Sequence, residues 1–181
     1  MKNARGLKLF LQGGGIIAYP TESCFGLGCD PKNRSAVKRL LRLKGRPQHK
    51  GLILIASCQR QLKPYMQPVN PAQQLQLDTS WPGAHTWLVP AAKNCPPWLS
   101  GRHTSIAVRV TAHRSSADLC RRLNMALVST SANHSGGKAA KTAHACRQLF
   151  AANIRIINGR IGKNHKPSTI QDLTTGRIIR A

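Results

Sequence analysis

A chain of 181 residues with 41% hydrophobic content can fill a core, which excludes a wholly disordered protein and suits a single domain over 1–181. Lys and Arg number 28 against five Asp and Glu, a net charge of +23, so polyanions are favoured partners and a protein-built cage for a hard metal is excluded. Aromatics make up only 4%, which leaves the core to Leu, Ile, Val and Ala.

In chain order, Leu7, Phe10 and Leu11 fall at helical spacing and predict a short helix over 3–12, ended by Gly13 to Gly15. "IIAYPT" (16–21) reads as a buried strand. Asn33 can cap a helix carrying Val37, Leu40 and Leu41 that stops before Pro47. "LILIA" (52–56) reads as a fully buried strand, and 59–80 as weakly patterned and helical in part. "HTWLVPA" (85–91) and "TSIAVRV" (104–110) read as strands. A helix over 115–123 opens with a capping box between Ser115 and Asp118. "ALVSTSA" (126–132) is a strand running into a polar loop, and Thr142 caps a helix to Phe150. "IRIIN", "STIQDL" and "RIIRA" supply the last strands. Strands alternating with helices predict a layered α/β sheet.

Six cysteines form no CxxC pair and have no histidine at finger spacing, which excludes a structural zinc and fits free thiols in a reducing cytoplasm. No run of about 18 apolar residues exists to span a membrane, and the first apolar run is too short for a signal peptide. The charge is spread along the chain, so a merely solvated excess and nucleic-acid binding both stay open.

Four stretches could carry chemistry. "SGGKAAKT" (135–142) fails as a Walker A loop, with Ala132 where glycine is needed and Ala139 where a hydroxyl should hold magnesium. "LKGRPQHKG" (43–51) sets Lys44 and Arg46 at a helix end; cations favour that end, and the intervening glycine also lets both converge on one anion. In "VSTSANHSGG" (128–137), Ser129 and Ser131 share a strand face and Asn133 follows, a pattern equally open to a capped turn and to ligand hydrogen bonding. In "SIAVRV", alternation puts Ser105, Ala107 and Arg109 opposite an apolar face. A mid-strand arginine is costly to bury unpaired, and with five acids in the chain a ligand carboxylate or phosphate is the expected partner. "AYPTESCFGLGCD" (18–30) holds Thr21 and Glu22 at a strand end, with Gly26 and Gly28 allowing close backbone approach.

Together "AYPTESCFGLGCDP", "LKGRP", "GLILIA", "PGAHTWLVPA", "SIAVRV", "LVSTSANHSG" and "PSTIQDL…RIIR" resemble the YrdC/TsaC family of threonylcarbamoyl-AMP synthases, from about residue 16 onward. The resemblance implies a YrdC/RibB-like α/β (α+β) fold, an open twisted mixed sheet with helices on both faces. It implies that L-threonine, bicarbonate and ATP give threonylcarbamoyl-AMP and pyrophosphate, for modification of adenosine 37 in ANN-decoding tRNAs by a downstream threonylcarbamoyl-transferase complex. By position it implies catalytic roles for Lys44, Arg46, Ser131 and Asn133, and threonine contacts from Thr21, Arg109, Ser129 and Ser168. ATP contacts would come from Lys44, Arg46, Ser105, Ser131 and Arg180. Mg2+ would be held mainly by phosphates, with no protein ligand, and tRNA would meet the basic surface. The alternative is a non-catalytic RNA-binding module on the same fold, with Trp81, Trp87 and Trp98 as its main stacking candidates.

Overall fold

The computed structural model describes residues 4–150, 154–164 and 166–181. Among them lies one mixed nine-stranded sheet. The strands are β1 (Ile17–Pro20), β2 (Phe25–Gly28), β3 (Ile53–Ala56), β4 (His85–Pro90), β5 (Ser105–Val110), β6 (Leu127–Ser131), β7 (Arg155–Ile156), β8 (Thr169–Asp172) and β9 (Ile178–Arg180). Their order is β7-β1-β2-β6-β3-β5-β4-β8-β9, with parallel pairs at β1–β7, β3–β5 and β4–β8 and antiparallel pairs elsewhere.

Helices α1 (Ala4–Gln12), α2 (Arg34–Lys44), α3 (Pro71–Ser80), α4 (Pro97–Ser100), α5 (Arg114–Leu123) and α6 (Ala143–Phe150) cover the two faces. Period-two alternation divides the core between them. Ile16, Ala18, Leu54 and Ala56 pack with Val37 and Leu40 of α2 and with Phe150 of α6. Ile17, Tyr19, Ile55 and Leu127 point the other way, to Leu7 and Leu11 of α1 and Leu119 and Leu123 of α5. Helices therefore lie on both faces, as expected.

Most predicted elements are present, with residue 3 of the first helix outside the described residues. Asn33 caps α2, accepting a hydrogen bond from Ala36 N at 2.9 Å. Thr142 Oγ1 accepts from Ala145 N at 3.1 Å before α6. One expectation is overturned and two stretches gain detail. The cap of α5 is His113, not Ser115: the helix opens one residue early because Thr111 Oγ1 accepts from His113 N at 3.2 Å, and Asp118 pairs with Arg121 instead. "FGLG" is the strand β2, hairpinned onto β1, a role that the glycines hide from any alternation count. The vague stretch 59–80 holds α3, whose signal is a capping box between Asn70 and Gln73 with Pro71 at the first position, not an apolar stripe.

Gly28 is fixed by close approach. A Cβ there would lie 2.6 Å from Val128 O and 2.7 Å from the Tyr19 ring. Gly28→Ala is expected to destabilise the protein by about 2–3 kcal/mol through forced displacement of buried atoms. Calorimetry should show the transition lowered by roughly 5–10 °C.

Candidate active site

The face that buries Ile17, Tyr19, Ile55 and Leu127 continues past α1 and α5 without a helix over it. Its side chains turn polar there. Tyr19 is followed two residues on by Thr21, and Leu127 by Ser129 and Ser131. Cross-strand register aligns these into rows: Ser129, Ile53, Ala107 and Leu88 form one, and Leu127, Ile55 and Arg109 the next. The uncovered sheet floors a cavity of about 840 Å³. Of the predicted residues, Thr21, Arg46, Ser105, Arg109, Ser129, Ser131, Asn133, Ser168 and Arg180 all line it. Lys44 does not; it stands behind the wall.

Lys44 and Arg46 are separated by the end of α2. Gly45 takes the left-handed cap conformation (φ 61°), and Arg46 N closes the helix on Leu41 O at 2.9 Å. Lys44 stays inside, 3% exposed. Its ammonium donates to Ser131 O (2.5 Å), Asn133 O (2.7 Å) and Asn133 Oδ1 (3.0 Å). Asn133 Oδ1 also accepts from Ser131 Oγ at 2.5 Å, and Asn133 Nδ2 donates to Gly137 O at 2.7 Å. Lys44, Ser131 and Asn133 thus form one node, in which Lys44 knots the turn after β6. Arg46 faces the cavity, with Nη2 donating to Gly51 O at 3.0 Å and Nε buried without a partner.

Burial, with the Arg46 charge adding to it, lowers Lys44 from 10.5 to about 8. The folded state therefore releases this proton before the unfolded state does. Between pH 8 and 10.5 the lysine contributes increasing stability as pH rises, while below 8 its burial is a cost. Anion binding runs the other way. ATP affinity measured by titration calorimetry without threonine is expected to fall as pH rises through about 8, with the midpoint moved in a Lys44→Arg variant.

Arg109 finds the carboxylate it needs within the protein, where a ligand carboxylate or phosphate is the expected partner. Glu22 Oε2 lies 3.2 Å from Arg109 Nη2, with both side chains about nine-tenths buried. Thr111 Oγ1 donates to Glu22 Oε1 at 2.7 Å. A single carboxylate, at the end of "AYPTE", was enough. Arg109 Nε remains buried without a hydrogen bond, and the residue still lines the cavity. Beside it, Thr21 Oγ1 donates to Cys24 O at 2.7 Å and keeps its lone pairs for a donor. At the far side, Ser168 Oγ meets Thr86 Oγ1 at 2.9 Å, and Arg180 Nη2 donates to Ser168 O at 2.7 Å. Burial lowers both Arg46 and Arg180 from the ordinary arginine value.

Sequence reasoning missed the rim. Lys50, His103, Lys138 and Lys141 line the cavity, as does Cys24. Lys138 and Lys141 were visible only as parts of a failed Walker A pattern. The cysteines are free, as expected; Cys24, Cys58 and Cys95 are half-buried and Cys29, Cys120 and Cys146 buried. Of the three tryptophans, Trp81 and Trp98 are half-buried. Trp87 is buried, and the indole N–H groups donate to His85 O, Ser80 Oγ and Pro31 O. Among the described residues no group of three or more His, Cys, Asp or Glu could hold a metal, and no helix is long and apolar enough to cross a membrane.

This geometry, an open mixed sheet with an uncovered polar end, defines a class of nucleotide-sized cleft on an α/β fold. The Sua5/YciO/YrdC family model, described as "Telomere recombination", matches residues 9–181, and the chain belongs to that family. A protein of Methylobacillus flagellatus named threonylcarbamoyl-AMP synthase is 61% identical over 98% of both chains. One of the same name from Thiobacillus denitrificans is 56% identical over 97% of this chain and 94% of its own. Among solved structures, P. abyssi Sua5 complexed with L-threonine superposes with a TM-score of 0.88 at 30% identity, covering 97% of this chain. This chain spans about half the length of that protein. E. coli YciO, at 24% identity and TM-score 0.83 over 98% of this chain and 87% of its own, shares the fold.

Proposed function

We propose that this chain is a threonylcarbamoyl-AMP synthase, a nucleotidyltransferase that makes L-threonylcarbamoyladenylate and pyrophosphate from L-threonine, bicarbonate and ATP. The observation that carries the reading is a cavity wall bearing arginines, hydroxyls and an amide but no carboxylate among the described residues. Its volume lies high in the roughly 300–1,000 Å³ range of small-molecule sites, which suits a nucleotide beside an amino acid. The relatives named threonylcarbamoyl-AMP synthase support the same activity.

The chemistry asks for placement and charge. Bicarbonate loses hydroxide to give CO2, the threonine amine adds to its carbon, and the amine proton leaves with the hydroxide as water, giving a carbamate. A carbamate oxygen attacks the α-phosphorus of ATP. The bond from that phosphorus to the oxygen bridging to the β-phosphate breaks, and its electron pair leaves with pyrophosphate. No covalent protein intermediate is needed; two anions must be held together. Arg109, fixed by Glu22, pairs with the threonine carboxylate or carbamate, with Thr21, Ser129 and Ser168 reading the remaining polar atoms. Arg46, Ser131 and Asn133 face the α-phosphate, with the Lys44 charge immediately behind them. Ser105 and Arg180 take the nucleotide. Magnesium, expected with ATP, would be held by the phosphates, since no carboxylate lines the cavity among the described residues. The product serves tRNA modification by a downstream transferase in the cytoplasm, with tRNA meeting the basic surface.

Burial of Trp87 removes one of the three stacking candidates of the purely RNA-binding alternative. Labelled threonine, bicarbonate, ATP and magnesium should yield threonine-dependent pyrophosphate and a threonylcarbamoyl adenylate. Their absence under conditions in which a relative is active would overturn the reading.

A further inference from the structure

We infer that Lys138 and Lys141 form a pyrophosphate subsite, receiving the β- and γ-phosphates of ATP and holding them as they leave. The inference rests on the synthase reading and adds to it residues for the departing group.

It starts from a shortage. An ammonium has three protons, and all three of Lys44's are directed at protein acceptors within 3.0 Å. Lys44 therefore supplies charge to this end of the cavity but no hydrogen bond. Arg46 has Nη2 turned to the carbonyls of Lys50 and Gly51 and offers only what is left of its fork. A leaving pyrophosphate gains charge on the oxygen that had bridged the α- and β-phosphates, and one part-occupied arginine is a poor match for it.

The loop after β6 supplies what is missing, and it is not a loose tail. Its start is fixed by Ser135 N donating to Lys44 O at 2.8 Å and by Asn133 Nδ2 on Gly137 O at 2.7 Å. Its end is fixed by Ala140, which is buried, donates through N to Ala132 O at 2.9 Å and accepts from Phe25 N at 2.8 Å. Lys138 and Lys141 flank this anchored stretch, and both line the cavity. The ion pairs among the described residues are Glu22–Arg109 and Asp118–Arg121, so neither lysine is neutralised by a carboxylate there. The loop leaves the turn that faces the α-phosphate, so a triphosphate tail lying along it meets the lysines next. Lysine is well matched to a departing anion. It is a mobile point charge that stabilises the anion without the rigid two-point grip of arginine, so it can let the product go.

The test is a Lys138→Gln/Lys141→Gln double variant, both positions being exposed and outside the core. Titration calorimetry with pyrophosphate, ATP and AMP, each without threonine, should show pyrophosphate and ATP affinity reduced about 10–100-fold. AMP affinity should stay within about twofold, and Lys138→Arg/Lys141→Arg should restore pyrophosphate binding. Equal losses for AMP and ATP, or unchanged pyrophosphate affinity, would overturn the subsite. So would a variant that loses only tRNA binding, which would make the lysines an RNA contact. Wild-type protein that binds pyrophosphate through these lysines yet makes no adenylate would sink the synthase reading and leave the subsite standing.

Discussion

Lys44→Ala is expected to lower threonine-dependent pyrophosphate release about 10²–10³-fold, the usual cost of losing a preorganised electrostatic group. The structure gives the loss a particular form. Without the ammonium, Ser131 O, Asn133 O and Asn133 Oδ1 lose their common donor, and the turn keeps the Ser131 Oγ–Asn133 Oδ1, Asn133 Nδ2–Gly137 O and Ser135 N–Lys44 O bonds. Stability should fall as well, by about 1–3 kcal/mol for buried acceptors left unsatisfied. Lys44→Met, which keeps the apolar stem, should lose as much activity. Pyrophosphate release and thermal unfolding, measured on the same preparations, check both parts. Turnover within about fivefold of wild type in either variant would show that the turn holds without the lysine.

The second large effect is Arg109→Leu. Removing one partner of a buried ion pair leaves the other charge uncompensated, a loss of about 3–5 kcal/mol. Glu22 would be that stranded charge, retaining only the Thr111 hydroxyl. Denaturant unfolding should show the midpoint lowered with an unchanged slope. The Arg109→Leu/Glu22→Leu double variant should recover most of the stability, because a well-packed apolar pair commonly replaces a buried ionic one without loss. It should not recover threonine binding. That split separates the fold's use of Arg109 from the site's use of it, and a double variant with normal threonine affinity would remove Arg109 from the threonine subsite.

Much of the fold and site was legible in the sequence for definite physical reasons. "SIAVRV" alternates strictly, so the face carrying Ser105, Ala107 and Arg109 could be read from the residues alone, and all three line the cavity. Asn33 and Thr142 announced their helices because a capping side chain answers a local need of the backbone. Tertiary facts were not legible. Glu22 and Arg109 are far apart in the chain, and only the order β1-β2-β6-β3-β5 sets them on one side of the sheet. "FGLG" has no side-chain rhythm; Gly28 owes its place to Val128 O and the Tyr19 ring, neither of them a sequence neighbour. The cap of α5 went to His113 because Thr111, at the end of a strand, positions it. The inward turn of Lys44 depends on carbonyls from a distant segment, 87 and 89 residues later in the chain.

The sheet face that floors the cavity also carries, one row along, the apolar residues beneath α1 and α5. Ile55 sits directly between Leu127 and Arg109. Floor and core are thus continuous masonry: the hydroxyls and the arginine that line the cavity cannot shift without disturbing Ile55 and Leu127, both fully buried. Adaptation to a different amino acid or nucleotide is therefore confined to the loops around the opening, while the ground beneath stays as the folding of the domain laid it.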